Sequence, residues 1–153
     1  MRKQLILLLI VSMTAISLKA YDFSATNIDG VAIYYQISDN LEKTVSVTSG
    51  DSEYAGFVNI PSSVDYLGET YAVSSIGDKA FYYCGNLDAV TIPNSVTEIG
   101  KYAFSKCISL PSVVIPNSVI TILDDAFSWC ENLESVTLPN SLTKIEDRPR
   151  KCY

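Results

Sequence analysis

The sequence repeats itself with a period of 23 residues, and this repeat constrains the fold more than any other feature. Residues 90–112 read VTIPNSVTEIGKYAFSKCISLPS, and residues 113–135 read VVIPNSVITILDDAFSWCENLES. A third copy begins at Val136 and departs from the pattern after Asp147. A short period of this kind indicates coils that stack in a row, because one copy alone cannot bury its own apolar face.

An expanded copy precedes the two complete ones. Residues 58–89 contain both halves of the repeat, but they number 32 rather than 23, so nine residues are inserted between Val64 and Val73. Short alternating segments flank Leu67-Gly68-Glu69 inside this insertion. We therefore expect a β-hairpin beside the first coil.

Each copy contains the pattern L-x-x-V-x-I-P, as at Leu87, Val90 and Ile92. Apolar residues that alternate in this way predict a short strand with one buried face. Equivalent strands of successive coils then form a parallel sheet. The proline ends each strand, at a position where no backbone N–H is needed for pairing with a neighbouring strand. An Ala-Phe pair in each copy predicts a short helical or 3₁₀ turn that closes the coil. The pairs begin at Ala80, Ala103 and Ala126.

The unit V-x-I-P-N-S-V-x-x-I-G-x-x-A-F-x-x-C-x-x-L resembles the BspA-like leucine-rich repeat. The resemblance implies a mainly β fold with short helical or 3₁₀ turns, in which a leucine-rich-repeat solenoid with a parallel sheet follows an N-terminal β cap. The cap is expected over residues 21–57 and the repeats over residues 58–147. The repeats divide into 58–89, 90–112, 113–135 and a partial copy at 136–147, and residues 148–153 are expected to be a degenerate or truncated end.

The first twenty residues have the pattern of a signal peptide. Arg2 and Lys3 precede an unbroken apolar run over residues 5–11, and the small residue Ala20 ends a tolerable cleavage site. The alternative is a membrane anchor, but the apolar run is far shorter than the roughly 20 residues that span a bilayer. We therefore expect an exported chain with no transmembrane anchor after cleavage, which is secreted, held at the cell surface or located in the periplasm.

The chain beyond Ala20 is acidic. Removal of three of the 11 basic residues and none of the 17 acidic ones leaves a net charge of −9. Such a surface repels the phosphate backbone of nucleic acid and anionic lipid headgroups. A basic protein remains a suitable partner.

The composition argues against catalysis. The chain contains no histidine, which removes Ser-His-Asp and Cys-His nucleophilic sites and the usual mixed Cys/His zinc sites. Paired carboxylates across a cleft and a calcium-loop motif are not indicated either. We expect no catalytic residues, no metal and no cofactor, and a hydrolase with an unrecognised site is the least favoured alternative.

Three cysteines, Cys84, Cys107 and Cys130, recur at the 23-residue spacing and therefore occupy one position in successive coils. Stacked equivalent positions have parallel Cβ vectors, whereas a disulfide needs converging ones. We interpret these cysteines as a buried, structural ladder of free thiols. A disulfide remains the alternative, since an exported chain can be oxidised.

The residues between the buried strand positions are the candidates for a protein-binding face. They are small and mostly neutral, which predicts a flat surface, although they could equally be spacers. Trp129 occupies the position of Tyr83 and Lys106 in other copies, and we expect it at the surface as an interface anchor. The candidate face comprises Ala89, Thr91, Ser112, Val114, Ser135 and Thr137.

The resemblance implies a bacterial protein that mediates protein–protein recognition or adhesion at the cell surface. This step is an analogy at the level of the fold and not chemistry read from the residues. The alternative is a purely structural fragment or a remnant of a longer repeat array.

Overall fold

The computed structural model of the protein describes residues 21–145, and the predicted signal peptide and the predicted degenerate end lie outside these residues. The described part contains twelve strands and no helix. In chain order they are β1 (Phe23–Thr26), β2 (Ala32–Asp39), β3 (Thr44–Thr48), β4 (Gly56–Asn59), β5 (Ser63–Tyr66), β6 (Glu69–Ile76), β7 (Leu87–Thr91), β8 (Glu98–Ile99), β9 (Ser112–Val114), β10 (Thr121–Ile122), β11 (Ser135–Thr137) and β12 (Lys144–Ile145).

Two walls of strands enclose the core of the solenoid. The first wall is one sheet in the order β1-β2-β3-β6-β8-β10-β12, with β5 paired to β6. The second wall consists of the parallel pairs β4–β7 and β9–β11. Each coil contributes one strand to each wall, so the chain climbs by one strand spacing per 23-residue repeat. The fold is therefore the expected leucine-rich-repeat solenoid.

The N-terminal cap continues the first wall. Strands β1, β2 and β3 are antiparallel, whereas β3 pairs with β6 in parallel. The cap buries Ile33, Val45 and Val47 completely. These side chains cover the apolar face that the first coil would otherwise expose to water.

The nine-residue insertion forms the expected hairpin. Strands β5 and β6 pair antiparallel from Tyr66↔Glu69 onward, which leaves a two-residue turn at Leu67 and Gly68. Both residues have positive φ, 52° and 81°. This conformation matches the twist of the flanking strands, so a tight two-residue hairpin turn can form.

The segments around the Ala-Phe pairs are not helical, and the expectation of helical or 3₁₀ turns was wrong. The N–H groups alternate between two kinds of partner: that of Ala80 donates to a carbonyl three residues back at 3.2 Å, and that of Phe81 donates to Ala103 of the next coil at 2.7 Å. Lys79 and Tyr83 have φ of 58° and 64°. A 3₁₀ turn needs negative φ throughout and keeps its hydrogen bonds within one segment. Here half of the bonds join neighbouring coils instead.

A stack of aromatic rings runs through the core along the solenoid axis. The rings of Phe81 and Phe104 are 4.8 Å apart with an interplanar angle of 10°, and those of Phe104 and Phe127 are 5.2 Å apart at 4°. Tyr54 of the cap continues the stack, with its ring 4.5 Å from that of Phe81. The aromatic stack (Tyr54, Phe81, Phe104 and Phe127) therefore couples the cap to the three coils.

Gly100 marks a point where two coils come too close for a side chain. A Cβ at Gly100 would lie 2.6 Å from the backbone nitrogen of Asp78 and 2.7 Å from the carbonyl carbon of Gly77. We expect Gly100→Ala to lower the free energy of unfolding by about 1–3 kcal/mol, because backbone atoms have to move to admit the methyl group. Urea unfolding followed by circular dichroism measures this change.

Gly85→Ala is the matched control for Gly100→Ala. A Cβ at Gly85 would meet the Ile108 side chain at 3.6 Å, which is ordinary van der Waals contact. This variant is expected to change the free energy of unfolding by less than about 0.5 kcal/mol. If both variants lost the same free energy of unfolding, close packing at Gly100 would not be the cause of the loss in Gly100→Ala.

Candidate protein-binding face

The outward residues of the second wall form two rows across the strands. In the first row Phe57 pairs with Ala89 and Ser112 pairs with Ser135. In the second row Asn59 pairs with Thr91 and Val114 pairs with Thr137. We call these two rows the sheet face. It comprises Phe57, Asn59, Ala89, Thr91, Ser112, Val114, Ser135 and Thr137.

The six strand residues expected on a binding face lie together on the sheet face. Ala89 is half-buried and the other five are exposed. Val114 is 66% exposed although it is apolar, because its neighbours on either side, Thr91 and Thr137, are too small to cover it. The face therefore presents an apolar side chain between two hydroxyls.

A groove lies beside the sheet face, where its strands end. A groove of about 510 Å³ runs past Thr91, Val114 and Thr137. Beyond strand β9, Pro116 and the exposed side chain of Asn117 also line the groove. The groove therefore lies at the edge of the sheet face and not across its two rows.

Phe57 also lies on the sheet face, although it was not among the predicted residues. Its ring is 74% exposed and lies beside Ala89 on the neighbouring strand. A signal was available, since Phe57 precedes Val58 just as Ala89 precedes Val90 in the next copy. An exposed aromatic ring on a rigid strand is a typical interface anchor.

Trp129 does not lie on the sheet face. It lines a separate groove of about 300 Å³ with Tyr83, Lys106 and Ile108. Its side chain is 65% exposed, as expected for a surface residue. The Lys106 ammonium donates to the Tyr83 hydroxyl, and this hydrogen bond raises the pKa of Lys106. The candidate residues thus divide between two surfaces.

The sheet face carries no positive charge. Strands β4, β7, β9 and β11 contain one acidic residue, Asp88, and no lysine or arginine. Three lysines of the coils, Lys79, Lys101 and Lys106, lie in turn segments, and Lys144 lies in strand β12 of the other wall. Together with the net acidic charge of the chain, this arrangement suits a basic partner surface.

The three repeated cysteines are free, with Cys84 and Cys107 buried and Cys130 half-buried. The Cys107 thiol donates to the Phe81 carbonyl at 3.1 Å, and the Cys130 thiol donates to the Phe104 carbonyl at 3.0 Å. Burial raises the pKa of Cys84 to about 11 and also raises the pKa values of Cys107 and Cys130. Protonated, enclosed thiols of this kind are poor nucleophiles.

The carboxylates of the coils do not converge on a site. Asp124 lies 3.6 Å from the Lys101 ammonium and is almost buried, which is a structural ion pair between adjacent coils. Between residues 21 and 145, no three His, Cys, Asp or Glu side chains are grouped so that they could hold a metal ion. The same span contains no helix that is long and apolar enough to cross a bilayer.

Comparison with known proteins places the coils in a family. Residues 74–149 match the family described as "BspA type Leucine rich repeat region (6 copies)". No curated protein matches the chain. A leucine-rich repeat protein from Bacteroides ovatus is 37% identical with a TM-score of 0.72, over 82% of this chain and 31% of that one.

Two further solved structures share the fold. The T. pallidum leucine rich repeat protein is 29% identical with a TM-score of 0.64, over 74% of this chain and 50% of that one. The pneumococcal vaccine antigen PcpA is 14% identical with a TM-score of 0.52, over 80% of this chain and 39% of that one, and this likeness concerns the fold alone. The chain thus spans between 31% and 50% of the length of these proteins.

The sequence match and the structural likeness agree with the 23-residue coils. The repeat that carries the resemblance is the same unit that builds both walls of the solenoid. The chain is therefore a leucine-rich-repeat protein and belongs to the BspA type.

Proposed function

We propose that this protein is exported and recognises another protein through its sheet face, without catalysis. Recognition of this kind supports adhesion at the cell surface. The observation that carries the proposal is the exposure of two apolar anchors, Phe57 and Val114, on strands whose other side chains on that side are small or polar. Leucine-rich repeats generally serve protein binding, which makes this function the natural use of such a surface.

The two anchors supply a core for an interface. A fully buried phenylalanine or valine side chain contributes about 1.5–3 kcal/mol relative to an exposed one. Thr91, Ser112 and Thr137 surround the anchors with small polar groups that can exclude water at the rim of a contact. The groove beside Val114 offers a partner side chain a place to insert.

The charge distribution favours a basic partner. The sheet face lacks lysine and arginine, and the chain after Ala20 has a net charge of −9. Association with a basic protein is therefore expected to be steered electrostatically and to weaken as salt is added. The candidate partners are host proteins or other surface proteins.

Export is proposed from the pattern of residues 1–20. A positive start, a short apolar run and a small residue at the cleavage position are the features that export machinery recognises. Cleavage after Ala20 would release a chain that begins with the cap.

Substitution of the two anchors by residues from equivalent positions tests the proposed face. Phe57→Ser copies Ser112 and Val114→Thr copies Thr91, so both variants keep side chains that the repeat already tolerates. Residues 21–153 are used to capture a partner from host-cell surface extracts, and the partner is then identified, purified and titrated by calorimetry. Each variant is expected to weaken its binding at least about 10-fold, or about 1.4 kcal/mol.

Leu67→Ser is the control for this experiment. Leu67 is exposed at the tip of the β5–β6 hairpin, outside the sheet face, so its replacement should leave the affinity unchanged. Trp129→Ser measures the contribution of the second groove. Equal affinities for the parent, Phe57→Ser and Val114→Thr would contradict the proposed face and favour a purely structural segment of a repeat array.

A further inference from the structure

A second, smaller pocket lies where the cap meets the sheet face. It has a volume of about 240 Å³, and its lining includes Asp29, Phe57, Asn59, Ala89 and Thr91. Asp29 comes from the turn between β1 and β2, and the other four residues come from β4 and β7. The pocket therefore combines an exposed aromatic ring, a carboxylate and two polar side chains.

The turn that carries Asp29 is held firmly against strand β4. The Asn27 carboxamide oxygen accepts hydrogen bonds from the N–H groups of Asp29 at 3.0 Å and Val31 at 2.8 Å. The Asn27 amide also donates to the Asn59 carbonyl at 2.8 Å. The backbone that carries Asp29 is thus fixed beside the strand, which lowers the entropic cost of binding a ligand there.

The pocket is negative and its carboxylate is available. Asp29 is exposed and makes no side-chain ion pair or hydrogen bond among the described residues. Neither lysine nor arginine lines the pocket. A cation that entered would replace water around Asp29 without displacing an internal partner.

We propose that this pocket receives an arginine side chain of the partner protein, an inference that rests on the proposed function of the sheet face. The planar guanidinium stacks on the exposed ring of Phe57 while its N–H groups pair with the Asp29 carboxylate. Asn59 and Thr91 offer further acceptor oxygens at the edge of the pocket. Arginine suits these groups better than lysine. Its planar guanidinium can stack on the Phe57 ring and pair with the Asp29 carboxylate at the same time, whereas the lysine ammonium cannot.

Nuclear magnetic resonance titration of residues 21–153 tests the arginine pocket directly. The probes are N-acetyl-arginine methylamide and its lysine counterpart, each up to about 50 mM at constant ionic strength, a range suited to a weak single-residue contact. The arginine probe is expected to shift amides near residues 29, 57, 89 and 91 in a saturable way. The lysine probe should bind at least about 3-fold more weakly.

Three variants decide the outcome. Asp29→Asn and Phe57→Ser should each weaken binding of the arginine probe at least about 5-fold. Glu98→Gln removes the same charge from the exposed side of β8 in the other wall and should change nothing. Shifts that survive in Asp29→Asn, spread evenly over the acidic surface, or appear equally with the lysine probe would overturn the assignment.

The same variants separate this inference from the proposed function. If the arginine probe fails to bind while Val114→Thr still weakens partner binding, the arginine pocket is contradicted and partner binding through the sheet face is supported. If the arginine probe binds as expected while no sheet-face variant alters partner binding, the pocket exists but the proposed function fails.

Discussion

Phe104→Ala is expected to lower the free energy of unfolding by about 3–5 kcal/mol, which is the usual cost of truncating a fully buried phenylalanine. Phe104 is 0% exposed and stacks on Phe81 and Phe127. Its removal therefore deletes both stacking contacts at the centre of the aromatic stack. A domain of this size has only about 5–15 kcal/mol of total stability, so the variant should be close to unfolding.

The loss at Phe104 should not be uniform along the chain. In a solenoid each coil contacts only its neighbours, so a break in the middle uncouples the later coils from the earlier ones. Hydrogen exchange read by mass spectrometry is expected to show strongly reduced protection over residues 112–145. Amides of β2 and β3 should keep most of their protection, because the cap strands pair with one another and with β6.

Phe127→Ala serves as the control for position in the stack. Phe127 is only half-buried and stacks on one described ring, so its truncation is expected to cost less than about 3 kcal/mol and to leave the earlier coils protected. A loss of protection that spread equally through cap and coils in Phe104→Ala would mean that the protein unfolds as one cooperative unit.

The coils and their buried positions could be predicted because the repeat is short and strict. A period of 23 residues with alternating Val, Ile and Leu leaves few ways to bury those side chains other than stacked strands. Of the three residues that represent this pattern, Leu87 and Ile92 are buried and Val90 is half-buried. The hairpin at Leu67-Gly68 could be predicted in the same way, from the glycine and the flanking alternation.

The turn segments could not be predicted because their hydrogen bonds are made between coils. Lys79, Tyr83 and Tyr102 all have positive φ, although none of these residue types favours it. This conformation becomes favourable only when the coils stack, because the backbone N–H groups then donate to carbonyls of the adjacent coil. The predicted site lacked two residues for a related reason. Phe57 precedes the regular repeats, and Asp29 reaches the sheet face only through contacts of the cap.

The stability of the protein is expected to decline steeply as the pH rises from about 9 to about 11. Burial raises the pKa of Cys84 from its ordinary value of 9.0 to about 11, and it also raises the pKa of Cys107. In this interval an unfolded chain loses its thiol protons, whereas the folded chain keeps them. The unfolded state then binds fewer protons, so the free energy of unfolding falls as pH increases.

The buried tyrosines extend the effect to higher pH. Burial raises the pKa of Tyr35 from 10.0 to about 12, and the pKa of Tyr54 shifts in the same direction. Below about pH 8 all four groups are protonated in both states, so they contribute no slope there. The alkaline decline is therefore set by the thiols first and by the two phenols afterwards.

The double variant Cys84→Ala/Cys107→Ala isolates the contribution of the thiols. Urea unfolding is measured at intervals from pH 7 to pH 11 under reducing conditions, with a thiol count on the unfolded parent that should find four free thiols. Each buried thiol steepens the decline by up to about 1.4 kcal/mol per pH unit, so the variant should show a distinctly shallower slope between pH 9 and pH 11. Its absolute stability is expected to be lower because of the lost packing, which is why the slopes are compared. Parallel curves for parent and variant would show that the thiols of Cys84 and Cys107 ionise as easily in the folded protein as in the unfolded chain.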